Sequence, residues 1–222
     1  LAEQGAINFV ALLYLIFFMI SFAYTKGTQI FIARKEGEDK KSHVGVILDN
    51  TIFVLGIVGI ILFLLFAFFS KEILNVFLED PVVLQAAMDY IGIRKYGFIY
   101  GFMGSVFIAY YTGISKVKTL AAAIIIMAVS NIFLNYVLVF GKFGLPEMGI
   151  KGAALASNIA EFISIAIMWV NIFTNKLNKR HLLFSFRLIK WEYIKVISKI
   201  SMPIVVLTLL GLLTWLIFFA LI

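Results

Sequence analysis

Six stretches of this sequence are apolar over the length of a membrane crossing: roughly 6–33, 44–69, 96–114, 119–140, 152–173 and 200–222. At about 1.5 Å per helical residue, runs of this size match the ~30 Å of hydrocarbon in a bilayer. Backbone exposed to lipid has to pair its N–H and C=O groups internally, which admits only helices and closed barrels. The runs are about twice as long as a barrel strand and lack its apolar/polar alternation. The chain therefore reads as an all-α polytopic membrane protein. Its 63% hydrophobic content, 14% charged content and mean hydropathy of +1.04 lie outside the range of soluble domains. It has no cysteine, which excludes disulfides and thiolate metal sites.

A net charge of +7 raises the question of nucleic acid, and the placement of the charge answers it. Loops 34–45, 115–118 and 174–199 hold Arg34, Lys35, Lys40, Lys41, Lys116, Lys118, Lys176, Lys179, Arg180, Arg187, Lys190, Lys195 and Lys199, thirteen of nineteen basic residues. The alternate loops hold Lys71, Arg94, Lys95, Lys142 and Lys151, and Lys26 lies inside the first run. Such a split is the positive-inside pattern. It predicts those three loops in the cytoplasm, a multi-pass location in the cell's inner (plasma) membrane, and a basic surplus that serves topology, with lipids and not nucleic acid as the surrounding partner.

The sequence starts at Leu1 without an initiator Met or a signal-peptide pattern and stops inside an apolar run, so it reads as a piece of a longer protein. Between the last two runs, Ile189, Tyr193, Val196, Ile197 and Ile200 follow helical spacing, with most of the linker's basic residues elsewhere. This predicts an amphipathic helix in the headgroup plane, or else a solvated linker, at a boundary between two bundles.

The stretch "NYVLVFGKFGLPEMGIKGAALAS", residues 135–157, turns the chain between the fourth and fifth runs. Gly141, Gly144, Pro146 and Gly149 supply turn chemistry. Gly152, Ala153, Ala154 and Ala156 then open a helix with side chains small enough for close packing in lipid. In this hairpin Asn131 and Asn135, four apart, share a helix face. Counted inward from Phe140 and Ile150 at 1.5 Å per residue, Asn135 lies about 8 Å deep, Ser157 about 10 Å, Asn131 about 14 Å and Glu161 about 16 Å. The matched depths admit one polar cleft, or a hydrogen-bonded clasp between the helices. Glu161 has to protonate, pair or face water. Lys26 is a partner by sign, or snorkels to the cytoplasmic end. Gln29 and Thr28 face either a cavity or a neighbouring helix. Among the aromatics, Tyr96, Tyr100, Tyr110 and Tyr111 are candidates for a pocket that takes flat organic cations.

The hairpin resembles the fifth-to-sixth helix segment of the MATE (multidrug and toxic compound extrusion) family, whose pattern runs N-x-x-L-D, then F-G…P-x-x-G-x-x-G-A-A-x-A-[ST]. "KGTQIFIARKEGEDKK" resembles the end of that family's second helix and the loop after it, and "ISKISMPIVV" the approach to its seventh. The resemblance implies a two-lobe, twelve-helix transporter. Residues 1–174 match the N-terminal lobe from helix two to six without helix one, 175–199 the cytoplasmic linker, and 200–222 the first helix of the C-terminal lobe. It implies a cation-coupled antiporter that exports drugs or organic cations and works as a monomer at full length. The residues matching Asn131, Asn135 and Ser157 help hold Na⁺ or a proton in some members. The family often has Asp where Asn135 stands, and some branches carry a Glu where this chain has Gly211. Together with Glu161 these give the candidate cation or proton site, Asn131, Asn135, Ser157 and Glu161, with Gln29 and Tyr100 as substrate-cavity candidates.

No catalytic residues are expected: no nucleotide-binding or H-E-x-x-H motif occurs, and the two histidines, His43 and His181, stand far apart. No cofactor is expected beyond Na⁺ or H⁺ as coupling ion. A lipid-linked oligosaccharide flippase is the alternative. It would carry fixed cations for a pyrophosphate, and the run interiors offer only Lys26. A non-transporting scaffold is a third possibility, one that would have no need of Glu161 or the Asn pair.

Overall fold

The structure, a computed structural model, describes residues 2–185 and 189–220, with side chains described from 9 to 185 and from 189 to 214. Arg187 and the end of the last run at Leu221 and Ile222 lie outside the described residues. Eight helices and no strand make up what is described: α1 (Ala2–Gly37), α2 (Lys41–Asn75), α3 (Pro81–Arg94), α4 (Gly97–Gly113), α5 (Val117–Val139), α6 (Gly149–Thr174), α7 (Leu177–His181) and α8 (Trp191–Ala220). Five of them, α1, α2, α5, α6 and α8, are long and apolar enough to cross a membrane. A multi-pass membrane protein follows.

The third run is where structure and expectation part. Residues 81–94, expected within a loop, form α3, which starts where Asp80 caps it by accepting from Val82 N at 2.8 Å and Pro81 takes the first turn. Lys95 and Tyr96 keep helical backbone angles, so α3 runs almost directly into α4. The 17 residues of α4 stand at the lower end of what a crossing needs. Arg94 is thereby carried out of the supposed loop and into the bundle.

Helix α1 is central, packed by α2, α3, α4 and α8. Ser21 and Ser105 Oγ atoms sit 2.7 Å apart between α1 and α4, and Thr28 and Thr51 Oγ1 atoms 3.1 Å apart between α1 and α2. These are short polar clasps between closely packed helices. Helices α5 and α6 form the expected hairpin, with Gly141, Gly144 and Gly149 all at positive φ. Gly152 lies so close to α5 that a Cβ there would come within 2.6 Å of the Leu138 carbonyl oxygen.

The three basic loops gather at one end. Arg180 Nη2 meets Glu36 Oε1 at 2.9 Å, and His181 is fully buried with Nδ1 2.7 Å from the Tyr110 hydroxyl. Its Nε2 lies 3.0 Å from Glu36 Oε2 without hydrogen-bond alignment. Burial pushes the His181 imidazole below its ordinary pKa, against the opposing pull of Glu36. Nearby, Lys35, Lys40 and Arg34 hold the Glu38 carboxyl down to about 2.

The segment after α6 is strapped to this end. The Phe184 N–H donates to Asp49 Oδ1 and the Lys190 N–H to Asn50 Oδ1, both at 2.9 Å. The backbone at His181 and Leu182 rests on Gly45, where a Cβ would meet the His181 carbonyl oxygen at 2.2 Å. The residues expected in a surface helix are instead the approach to α8 and its first turns. Tyr193 packs on Phe31 with ring centroids 5.9 Å apart, and Ile197 is buried, whereas Ile189 and Val196 face outward.

Candidate ion and substrate site

Glu161 sits twelve residues past Gly149 on α6, about 18 Å along the helix axis. Its partner is Arg94 of α3. Arg94 Nη2 donates to Glu161 Oε1, and Nη1 donates to Glu161 Oε2 at 3.1 Å and to Asn158 Oδ1 at 2.7 Å. Asn158 Nδ2 in turn donates to the Ile93 carbonyl at 2.7 Å, which closes a ring of bonds between α3 and α6. The guanidinium lies over the Tyr14 ring, 3.8 Å from its centroid, and the Tyr14 hydroxyl donates to Glu161 Oε2 at 3.4 Å. Arg94 is 6% exposed. A buried charge is tolerated when it is paired and its remaining donors are satisfied, and the forked guanidinium does this better than an ammonium.

Helix α4 is shaped around the group. A Cβ at Gly97 would stand 2.7 Å from the Tyr14 hydroxyl and 2.9 Å from Arg94 Nη1, and one at Gly101 would stand 2.8 Å from the same hydroxyl. Glycine is what admits the ion pair here.

The asparagines form a second group. Asn135 Nδ2 donates to Asn131 O at 2.8 Å and Oδ1 at 3.0 Å, and Asn131 Nδ2 reaches Ser157 Oγ at 3.4 Å. Asn131, Ser157 and Glu161 line one pocket of about 200 Å³ with Arg94, Met127, Ala128 and Ala160. Asn135 touches that pocket only through Asn131. Beside it opens a larger cavity of about 440 Å³, walled by Tyr14, Phe18, Tyr90, Met168 and other apolar groups, with Arg94 and Glu161 at its polar end.

The other candidates lie apart from both. Tyr100 is half-buried with its ring edge-on to Phe162, centroids 6.4 Å apart. Gln29 accepts from Lys26 Nζ at 3.3 Å, and Lys26 lies over the Phe22 ring, so Lys26 is not the partner of Glu161. Tyr110 and Tyr111 are fully buried structural groups; Tyr111 donates to the Met168 carbonyl at 2.7 Å. Tyr96 is 51% exposed beside Phe63. Sequence reasoning missed Arg94, Tyr14 and Asn158. The Asp80-Pro81 pair was the available signal, an N-cap followed by proline at the first helical position, that residues 81–94 form a helix and that Arg94 belongs to it.

The chain is 30% identical to the Thermotoga maritima protein described as "Probable multidrug resistance protein NorM" over 157 residues, 70% of this chain and 33% of the relative. It is 26% identical over 158 residues to Bacillus subtilis YoeA, "Probable multidrug resistance protein YoeA", covering 70% of this chain and 34% of the relative. The chain thus spans about a third of the length of these relatives. Its fold matches an outward-facing and an inward-facing structure of a multidrug resistance MATE family transporter of the MOP superfamily, with TM-scores of 0.82 and 0.83 at 15% identity. Those matches cover 92% and 94% of this chain and 45% and 47% of the solved chains. The MatE family model matches residues 3–137, more than half of the sequence. With the membrane helices and the hairpin as the structure has them, the chain belongs to the MatE family of transporters.

Proposed function

We propose that this chain is part of a secondary transporter that exports drugs or organic cations in exchange for Na⁺ or H⁺. Residues 1–174 would serve as the N-terminal lobe, 175–199 as the cytoplasmic linker and 200–222 as the start of the C-terminal lobe of a protein that acts as a monomer among the lipids of the inner (plasma) membrane. The observation that carries the reading is Glu161: a carboxylate within the bundle that lines both a pocket holding the neutral oxygens of Asn131 and Ser157 and a larger apolar cavity to which Tyr14, Phe18 and Tyr90 contribute rings. Neutral oxygens around one carboxylate suit Na⁺ or a proton, and aromatic walls suit a flat cation. Asn135 orients Asn131. The coupling site of this reading is Asn131, Asn135, Ser157 and Glu161, and the reading assigns Gln29 and Tyr100 to the substrate path.

The equal fit to outward- and inward-facing relatives supports a lobe that keeps its internal packing while the transporter changes state. Basic loops gathered at one end support their placement in the cytoplasm. For the flippase alternative, Arg94 does supply a fixed cation beside a cavity, but Glu161 neutralises it, so the pair offers a pyrophosphate no net positive charge.

Export of a cationic dye by the full-length protein, measured at several pH values and Na⁺ concentrations, tests the reading. Glu161→Gln abolishes export and Asn135→Ala weakens it. Unchanged export and an unchanged pH profile in Glu161→Gln would make the cleft a structural clasp.

A further inference from the structure

Arg94, Met127 and Glu161 line both the 440 Å³ cavity and the 200 Å³ pocket. The ion pair therefore belongs to both spaces, one lined mostly by apolar groups and the other also by Asn131 and Ser157. Among the described residues that line the two spaces, Arg94 and Glu161 are the charged ones, with Tyr14 and Tyr90 as the titratable neighbours.

From this geometry we infer that Arg94 is the resident counter-ion of Glu161, and that a transported cation takes its place. The inference rests on the efflux reading and names the residue that makes the exchange exclusive. One carboxylate cannot compensate two buried cations, so a cation held at Glu161 from either space requires the guanidinium to withdraw. Withdrawal leaves Arg94 with two contacts of its own. Its Nη1 also bonds Asn158 Oδ1 at 2.7 Å, and its plane already rests on the Tyr14 ring, both independent of Glu161. When the cation leaves, the forked pair re-forms and the carboxylate is never left bare in hydrocarbon. Arg94 also belongs to α3 while Glu161 belongs to α6, so occupancy of the site decides whether the ion pair adds to the Asn158 bonds that already tie these two helices.

The probe is tetraphenylphosphonium, a lipophilic organic cation, titrated into purified full-length protein whose folding is checked by thermal melting. Arg94→Gln removes the competitor and tightens binding by about tenfold, the order expected for losing a charged hydrogen-bonded rival. Arg94→Lys keeps the charge but not the fork, and binds with an affinity between wild type and Arg94→Gln. Glu161→Gln and the double variant Arg94→Gln/Glu161→Gln lose binding while remaining folded. Wild-type export and binding together with Arg94→Gln and Arg94→Lys that bind no tighter would overturn the exchange and leave the efflux reading standing. A folded wild-type protein that neither binds nor exports the cation would overturn both.

Discussion

Replacing Gly152 with Val tests the packing that holds the polar cleft together. A Cβ at this position would lie 2.6 Å from the Leu138 carbonyl oxygen, 2.7 Å from its carbon and 3.0 Å from Val139 N, short of ordinary contact by about 0.8 Å. The obstacle is backbone. It is held in the turn by the Met148 N–H, which donates to the Leu138 carbonyl at 3.0 Å, and by the Lys142 N–H, which donates to the Val137 carbonyl at 2.9 Å. Helix α6 therefore has to swing off α5. Overpacking against a side chain costs about 1–3 kcal/mol, and backbone that cannot yield places Val at the upper end of that range. The Asn131 to Ser157 bond, already long at 3.4 Å, is lost with the same movement. A matched control is Gly211→Ala, where no atom of the described residues lies within 4 Å of the added carbon. Within a helix that change is neutral or stabilises by about 0.5–1 kcal/mol. Thermal melting of detergent-purified full-length protein should place Gly152→Val several degrees below wild type, with export of a cationic dye impaired, and Gly211→Ala at or above wild type. A Gly152→Val protein as stable and active as wild type would refute the close-packed hairpin.

The strap over Gly45 should loosen in acid. His181 is held neutral by burial, its pKa below the ordinary ~6.5, so docking is complete above that value and weakens as pH falls through the depressed one, by at most about 1.4 kcal/mol per pH unit. Protection of residues 177–185 from hydrogen exchange, relative to the intrinsic rate at each pH, should fall from pH 8 to pH 5 in wild type and lose that dependence in His181→Phe. Gly45→Ala should expose the same segment at every pH, because a Cβ there overlaps the His181 carbonyl oxygen at 2.2 Å; unchanged exchange would argue against the strap. Single cysteines at Lys40 and Lys179 should label from the cytoplasmic side only, and one at Glu147 from the opposite side only. Labelling of Lys40 and Glu147 from one side would remove the topology.

What the sequence disclosed was whatever hydrophobic length and local turn chemistry determine. The long apolar runs became α1, α2, α5, α6 and α8, and the glycines and proline of 141–149 became the α5–α6 turn. The match in depth of Asn131, Ser157 and Glu161 follows from helix rise alone, and the three do share a pocket. Arg94 was illegible for a different reason. Its neighbours in sequence are mixed in polarity, so it reads as part of a loop, and its partner Glu161 is 67 residues away. No periodicity carries information about a pairing of that kind; only the packing of α3 against α6 does. The aromatics show the same limit. Tyr14 and Tyr100 differ little in local sequence, yet one lies beneath a guanidinium and the other against Phe162, because the faces of α1 and α4 are set by their neighbours.

Gly27 is the point where α8 is welded to α1. A Cβ there would fall 2.1 Å from Ser201 Oγ, and that hydroxyl donates to the Tyr24 carbonyl at 2.6 Å. Two residues further on stands Pro203, which has no N–H for the carbonyl four positions back and so leaves the helix less stiff at that turn. Beyond it Val206, Leu207, Leu210 and Leu213 turn exposed side chains outward. Mechanically α8 is a lever clamped just short of its proline: a sideways load on the far arm is expected to bend the helix at Pro203, while the Gly27–Ser201 contact holds the near arm to α1.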